Sequence, residues 1–143
     1  RNLVENYMEE IITDDRYRDI YTFDHEGSLI SVKKFFGYNL EIGSWIYYKG
    51  ESVERWENKD IGYSFTLKDV LAYGKKNNIN FLKSGEIKKI KLGSSKQNAW
   101  ELTWNTGKVS PDGETYLFRK VLIDGNNGTV ISSKEYLLNP LVR

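Results

Sequence analysis

Between Val121 and Ser133 two β-prone runs, "VLI" and "TVISS", flank Asp-Gly-Asn-Asn-Gly. Gly and Asn supply the positive φ angles that a tight reversal needs, so this stretch predicts a hairpin. An EF-hand calcium loop is the competing reading. It requires oxygen ligands at alternate positions and a more distant Glu, with helices on either side. Asp124 and Asn126 fit the first two positions, but Gly128 occupies the third. Glu135 follows a strand-like run and no helical pattern flanks the loop, so the turn is favoured. Asn127-Gly128-Thr129 also matches an N-glycosylation sequon.

The same punctuation recurs upstream. "DIYTF", "SLISVKKFF", "SWIYYKG" and "SVERWEN" alternate or run apolar and are separated by "HEG", Gly37-Tyr38-Asn39 and Lys49-Gly50-Glu51. In the third of these runs Trp45 and Tyr47 share one face, with Ile46 and Tyr48 on the other. Further on, "IKKIKL", "AWELTW", "TYLFRKVLI" and "TVISSKEYLL" read as strands, with "NTGKVSPDGE" as a loop. Two segments carry the helical period instead. In "NLVENYMEEII", Leu3, Val4, Tyr7, Met8, Ile11 and Ile12 make one stripe, which predicts a helix to about Ile12 ended by Thr13-Asp14-Asp15. In "SFTLKDVLAYGKKNN", Thr66 is an N-cap with Asp69 three residues on; Leu67, Val70 and Leu71 form the buried stripe. The tail "NPLVR" is expected to fray.

The expected fold class is therefore α+β: an antiparallel β-sheet packed by two helices, in the order helix–strands–helix–strands. At 143 residues the chain is read as a single domain, 1–143, with possible sub-units 1–62 and 63–143. No cysteine is present, which excludes disulfides, thiol nucleophiles and Cys-type zinc sites. No apolar run is long enough for a transmembrane helix. Lys and Arg number 21 against 20 Asp and Glu, a net charge of +1. That near balance suggests neither nucleic acid nor an anionic membrane as partner. The chain begins with Arg1, which predicts a removed leader or a fragment of something longer.

No constellation for bond-making is legible. His25 is the only histidine and lies in a turn-like "DHEG". Glu9-Glu10 and Asp14-Asp15 read as a solvated helix face and its stop. Phosphate loops, nucleophile elbows and His-based zinc motifs are missing. The expectation is a protein that is not an enzyme and needs neither cofactor nor metal. Its candidate binding residues are aromatic and basic. Trp100, Leu102 and Trp104 share a face of "WELTW", making either core or a binding ridge. Trp45, Tyr47 and Trp56 raise the same question. Lys89 and Lys91 share one face of "IKKIKL", read as a wet lysine edge that discourages sheet-to-sheet aggregation.

Two resemblances add to this. Gly27–Glu51, with Gly27-x-Leu29, Tyr38-Asn39, Gly43-x-Trp45-Ile46-Tyr47-Tyr48 and Gly50, resembles one MORN-like or antitoxin-repeat unit. That likeness implies a β-hairpin serving as an interaction surface. Thr66 to Tyr136 resembles a PepSY-type domain, through its helix-then-strands order, Trp100–Leu102, and the ending Ile123-Asp124, Gly128, Val130-Ile131. That likeness implies a helix packed on an antiparallel sheet, a bacterial cell-envelope or secreted setting, and non-catalytic, often regulatory binding. The expected function is accordingly binding of a protein or cell-surface polymer through sheet-face aromatics, by an exported, periplasmic or secreted protein. Its rivals are a cytoplasmic immunity or antitoxin-like protein, a carbohydrate-binding module, and a hydrolase with an unrecognised site.

Overall fold

A computed structural model describes residues 6–14 and 16–138. The chain divides after Ile61 into two compact units. The first is a five-stranded antiparallel meander in sequence order: β1 (Tyr7–Asp14), β2 (Tyr17–Phe23), β3 (Leu29–Phe36), β4 (Leu40–Lys49) and β5 (Ser52–Asn58). The second begins with the helix α1 (Leu67–Lys76). A four-stranded antiparallel meander follows: β6 (Glu86–Leu92), β7 (Gln97–Val109), β8 (Tyr116–Asp124) and β9 (Val130–Leu138).

The expected two-helix arrangement is therefore corrected. Among the described residues there is one short helix, and the fold is mostly β, with two separate sheets. The error lies at the start of the chain, where Tyr7–Asp14 is a strand rather than a helix. Its partner decides the matter. Residues Tyr7 to Asp14 pair with Phe23 to Tyr17, giving every central residue of β1 an opposite number. Tyr7 stacks on Phe23 with ring centroids 5.1 Å apart, and Arg18 bonds Glu10 at 2.9 Å. A lone helix this short is marginal, whereas cross-strand aromatic and ionic pairs stabilise the hairpin by roughly 0.2–1 kcal/mol each. Leu3 and Val4 lie outside the described residues, as does the tail "NPLVR". The loop expected from Asn105 is also shorter than read: β7 continues to Val109, with an irregular register between Asn105 and Val109.

The Asp124–Thr129 reversal is a turn. The Asp124 carboxylate accepts the backbone N–H groups of Asn126 and Asn127 at 2.7 and 3.0 Å, and Gly128 takes φ +75°. Those N–H donors hold the Asp124 carboxyl below its usual range.

In the second unit α1 starts as the sequence indicates. Thr66 caps it, with the reciprocal bond from Asp69 completing a capping box. Its stripe buries Val70 and Gly74, and the sheet carries a face of Ile87, Trp100, Leu102, Val121 and Ile123, cross-strand neighbours in register and all buried. Val70, Phe81 and Tyr63 complete this core. In the first unit Val32, Phe36, Leu40 and Trp45 are the buried apolar side chains.

Gly74 gives a sharp test of this packing. An exposed helical Gly→Ala change stabilises by up to about 1 kcal/mol. Here a Cβ would stand 2.6 Å from the Phe81 ring and 2.9 Å from the Ile79 carbonyl oxygen. Gly74→Ala is expected to destabilise the second unit by roughly 1–3 kcal/mol in a denaturant melt; stabilisation would refute the packing of Phe81 under α1.

Candidate functional site

Trp45 and Tyr47 sit on one face of the first sheet, as the alternation of β4 predicts. That face is an array of cations laid over rings. Lys33 on β3 places its ammonium 5.1 Å from the Trp45 centroid and 5.7 Å from that of Tyr47. Lys59 lies 4.3 Å from the Trp45 centroid and the Arg55 guanidinium 3.7 Å from that of Tyr47. Phe35 packs against Trp45 at 5.1 Å, and Arg18 lies over Phe35. A bulge makes this geometry. Register on β3 advances from Val32 to Lys34 while β4 passes from Ile46 to Ile42, with Gly43 at φ +68°. The Trp45 indole N–H donates to the Lys34 carbonyl at 3.0 Å, fixing the ring as the floor of the array.

Carboxylates close the array along β5. Glu57 receives Arg55 at 2.7 Å and Lys59 at 2.9 Å, and Lys59 also reaches Glu41 at 3.4 Å. Hydrogen bonds from Lys59, then Arg55 and Tyr47, pull the Glu57 carboxyl from 4.5 down to about 2. Tyr47 moves the other way, raised by burial and by its bond to Glu57.

The four tryptophans divide cleanly. Trp45 and Trp100 are buried, and each donates its indole N–H to a backbone carbonyl, Trp100 to Phe65 at 2.8 Å. Trp100 is thus core of the second unit. Trp56, on the opposite face of β5 from Arg55 and Glu57, is 64% exposed, beside Val53 at 54%. Trp104 is half-buried, edge-on to Phe81 at 5.9 Å. Neither Trp56 nor Trp104 has a hydrogen-bond acceptor for its indole among the described residues.

The lysines of β6 are less alike than their shared face suggests. Lys89 is half-buried with its ammonium over the Tyr63 and Trp100 rings, at 5.3 and 5.7 Å. Lys91 is exposed and bonds the Asn98 side chain. Sequence reasoning missed Lys33, Arg55 and Lys59; their cross-strand registry with Trp45 and Tyr47 was the signal, and it depends on a bulge that alternation alone does not place.

His25 lies in the exposed β2–β3 turn, 3.7 Å from Glu26. Among the described residues no three His, Asp or Glu side chains gather as they would around a metal ion. No described helix is long and apolar enough to cross a membrane. Comparison of the chain with protein-family models, with curated proteins and with solved structures finds no match in any of the three.

The ionic part of the array has a defined acid limb. Glu57 is charged in the fold down to about pH 2, whereas an unfolded Glu protonates near 4.3. Its contribution is present above the unfolded value and is lost as pH falls through the folded one. An NMR titration of the Glu57 side-chain carboxyl should show a midpoint near 2. Glu57→Gln should remove part of the first unit's stability loss between about pH 4.5 and 2. A midpoint near 4.3 would mean the contacts do not persist in solution.

Proposed function

We propose that this protein acts by binding, without chemistry of its own, and that its partner is a protein or surface polymer contacted through the first unit. The observation that carries the reading is Trp56. A large aromatic side chain left 64% exposed on the edge strand β5, next to Val53, is the kind of group that anchors protein interfaces when a partner desolvates it. Arg55, Glu57 and Lys59 border it in sequence and are already ordered by the array behind them. Less side-chain entropy then remains to be lost on association. A protein partner suits this edge better than a uniform polymer, because the apolar pair stands beside mixed charges that a complementary surface can match. The setting proposed for this contact is the cell envelope or the space outside it.

A photo-reactive benzoylphenylalanine at position 56 tests the reading in cells that make the protein. A protein adduct of discrete mass is expected, lost on Arg55→Glu and absent when the probe replaces Tyr38, which is 85% exposed in the β3–β4 turn. Formation of no adduct at position 56, or of the same adducts at both positions, would sink the proposal.

A further inference from the structure

The whole-chain charge hides a division. Residues 1–61 carry eight Lys and Arg against thirteen Asp and Glu; residues 62–143 carry thirteen against seven. The second unit is therefore strongly basic, and it contains a polar cavity of about 380 Å³ beside the C-terminal end of α1. The sheet face of Trp100, Leu102, Val121 and Ile123 is buried, and the same face continues to Trp104 and Arg119 beside the helix end. There the cavity is lined by Trp104 and Lys108 of β7, Arg119 of β8, Glu135 of β9, and Tyr73 and Asn77 of the helix end.

The cavity's charges are unequal. Arg119 bonds Ser133 at 2.7 Å and pairs with Glu135, leaving further guanidinium N–H groups unspent. Both members of that pair remain about a third exposed, so a ligand can reach them. The Lys108 ammonium has no carboxylate partner among the described residues. Two cations thus face one carboxylate, a surplus of one positive charge. Ser133 accepts from Arg119 and keeps its own hydroxyl proton to donate, and one oxygen of Glu135 is left to accept. Trp104, whose indole N–H has no acceptor among the described residues, also lines the cavity.

We infer that this cavity is a binding site for a small sugar acid, a monosaccharide unit bearing one carboxylate. The surplus of one charge is neutralised by a monoanion, whereas a phosphate dianion would leave one negative charge uncompensated beside Glu135. A wall of donors and acceptors with almost no exposed apolar surface suits a polyhydroxylated ligand, and the volume is within the range of small-ligand pockets. The site lies in the other unit from Trp56 and stands or falls independently of that contact.

Galacturonate, galactose, acetate and galactose 1-phosphate, added separately to the ¹⁵N-labelled full chain, test the inference by NMR. Galacturonate should move the Trp104 indole resonance at millimolar concentration and leave that of Trp56 in place. Galactose and acetate should each bind at least about tenfold more weakly. Lys108→Gln should weaken galacturonate about tenfold, while Lys68→Gln, a charge-matched change on α1, should not. Lys108 makes no side-chain bond among the described residues, so its variant should fold as the parent does. Equal shifts from acetate or galactose, tighter binding of the phosphate, equal loss in both lysine variants, or no shift at 20 mM galacturonate (about twenty times a 1 mM Kd) would each overturn it.

Discussion

Antiparallel pairing of consecutive strands is the interaction on which the rest depends. Every strand in both sheets neighbours only the strands next to it in sequence. Each contact is therefore local, and each short turn fixes the register of the strand that follows. Register in turn decides which side chains meet. Leu102 lies between Ile87 and Val121, and Trp100 between Lys89 and Ile123, so one face of β6–β8 becomes a buried, mainly apolar layer edged by a lysine. A slip of one residue would bring Glu101 and Thr103 into the core and lift Trp100 out of it.

Cations over rings are the recurring device on both sheets. The first unit sets Lys33, Lys59 and Arg55 over Trp45 and Tyr47; the second sets Lys89 over Tyr63 and Trp100. Each such contact contributes about 0.5–1 kcal/mol at an exposed site, and more where water is excluded. Individually these are small against the burial of Trp45 or Trp100. Their larger effect is positional. The lysine stems cover aromatic surface while the charged heads stay at the boundary with water, where Glu57 and Glu41 hold Lys59. The aromatic positions of β4 were thus legible from alternation. Their basic cover was not, because it is assembled from β3, β5 and the residue after β5.

The hairpin from Val121 to Ser133 and the helix opening at Thr66 were also readable, since each rests on residues within a few positions of one another: Asp124 with Asn126 and Asn127, Thr66 with Asp69. The first strand was misread for the opposite reason. Tyr7, Met8, Ile11 and Ile12 satisfy a helical stripe as well as two strand faces, and only pairing with Tyr17–Phe23 separates the two. Exposure of Met8 and Ile12, with Tyr7 and Ile11 about half exposed, shows that this edge strand is held by its ladder rather than by a buried stripe. The tryptophans follow the same logic: nothing local distinguishes Trp56 from Trp45, one strand apart, yet one is anchored by the Lys34 carbonyl and the other faces solvent.

Charge was misleading for a related reason. A total of +1 averages over a boundary at Ile61 that no composition count can see. Electrostatic attraction acts over about 8–10 Å at physiological salt, less than the width of either unit. A ligand approaching one unit is therefore steered by the local sign rather than by the sum. Acidic residues dominate around the first sheet, so Lys33, Arg55 and Lys59 serve there mainly as internal partners of rings and of Glu57. In the second unit lysines outnumber the available carboxylates, and Lys108 stands beside the Arg119–Glu135 pair with its charge unspent. The same residue type is thus structural in one sheet and available in the other, and local stoichiometry of charge separates the two roles.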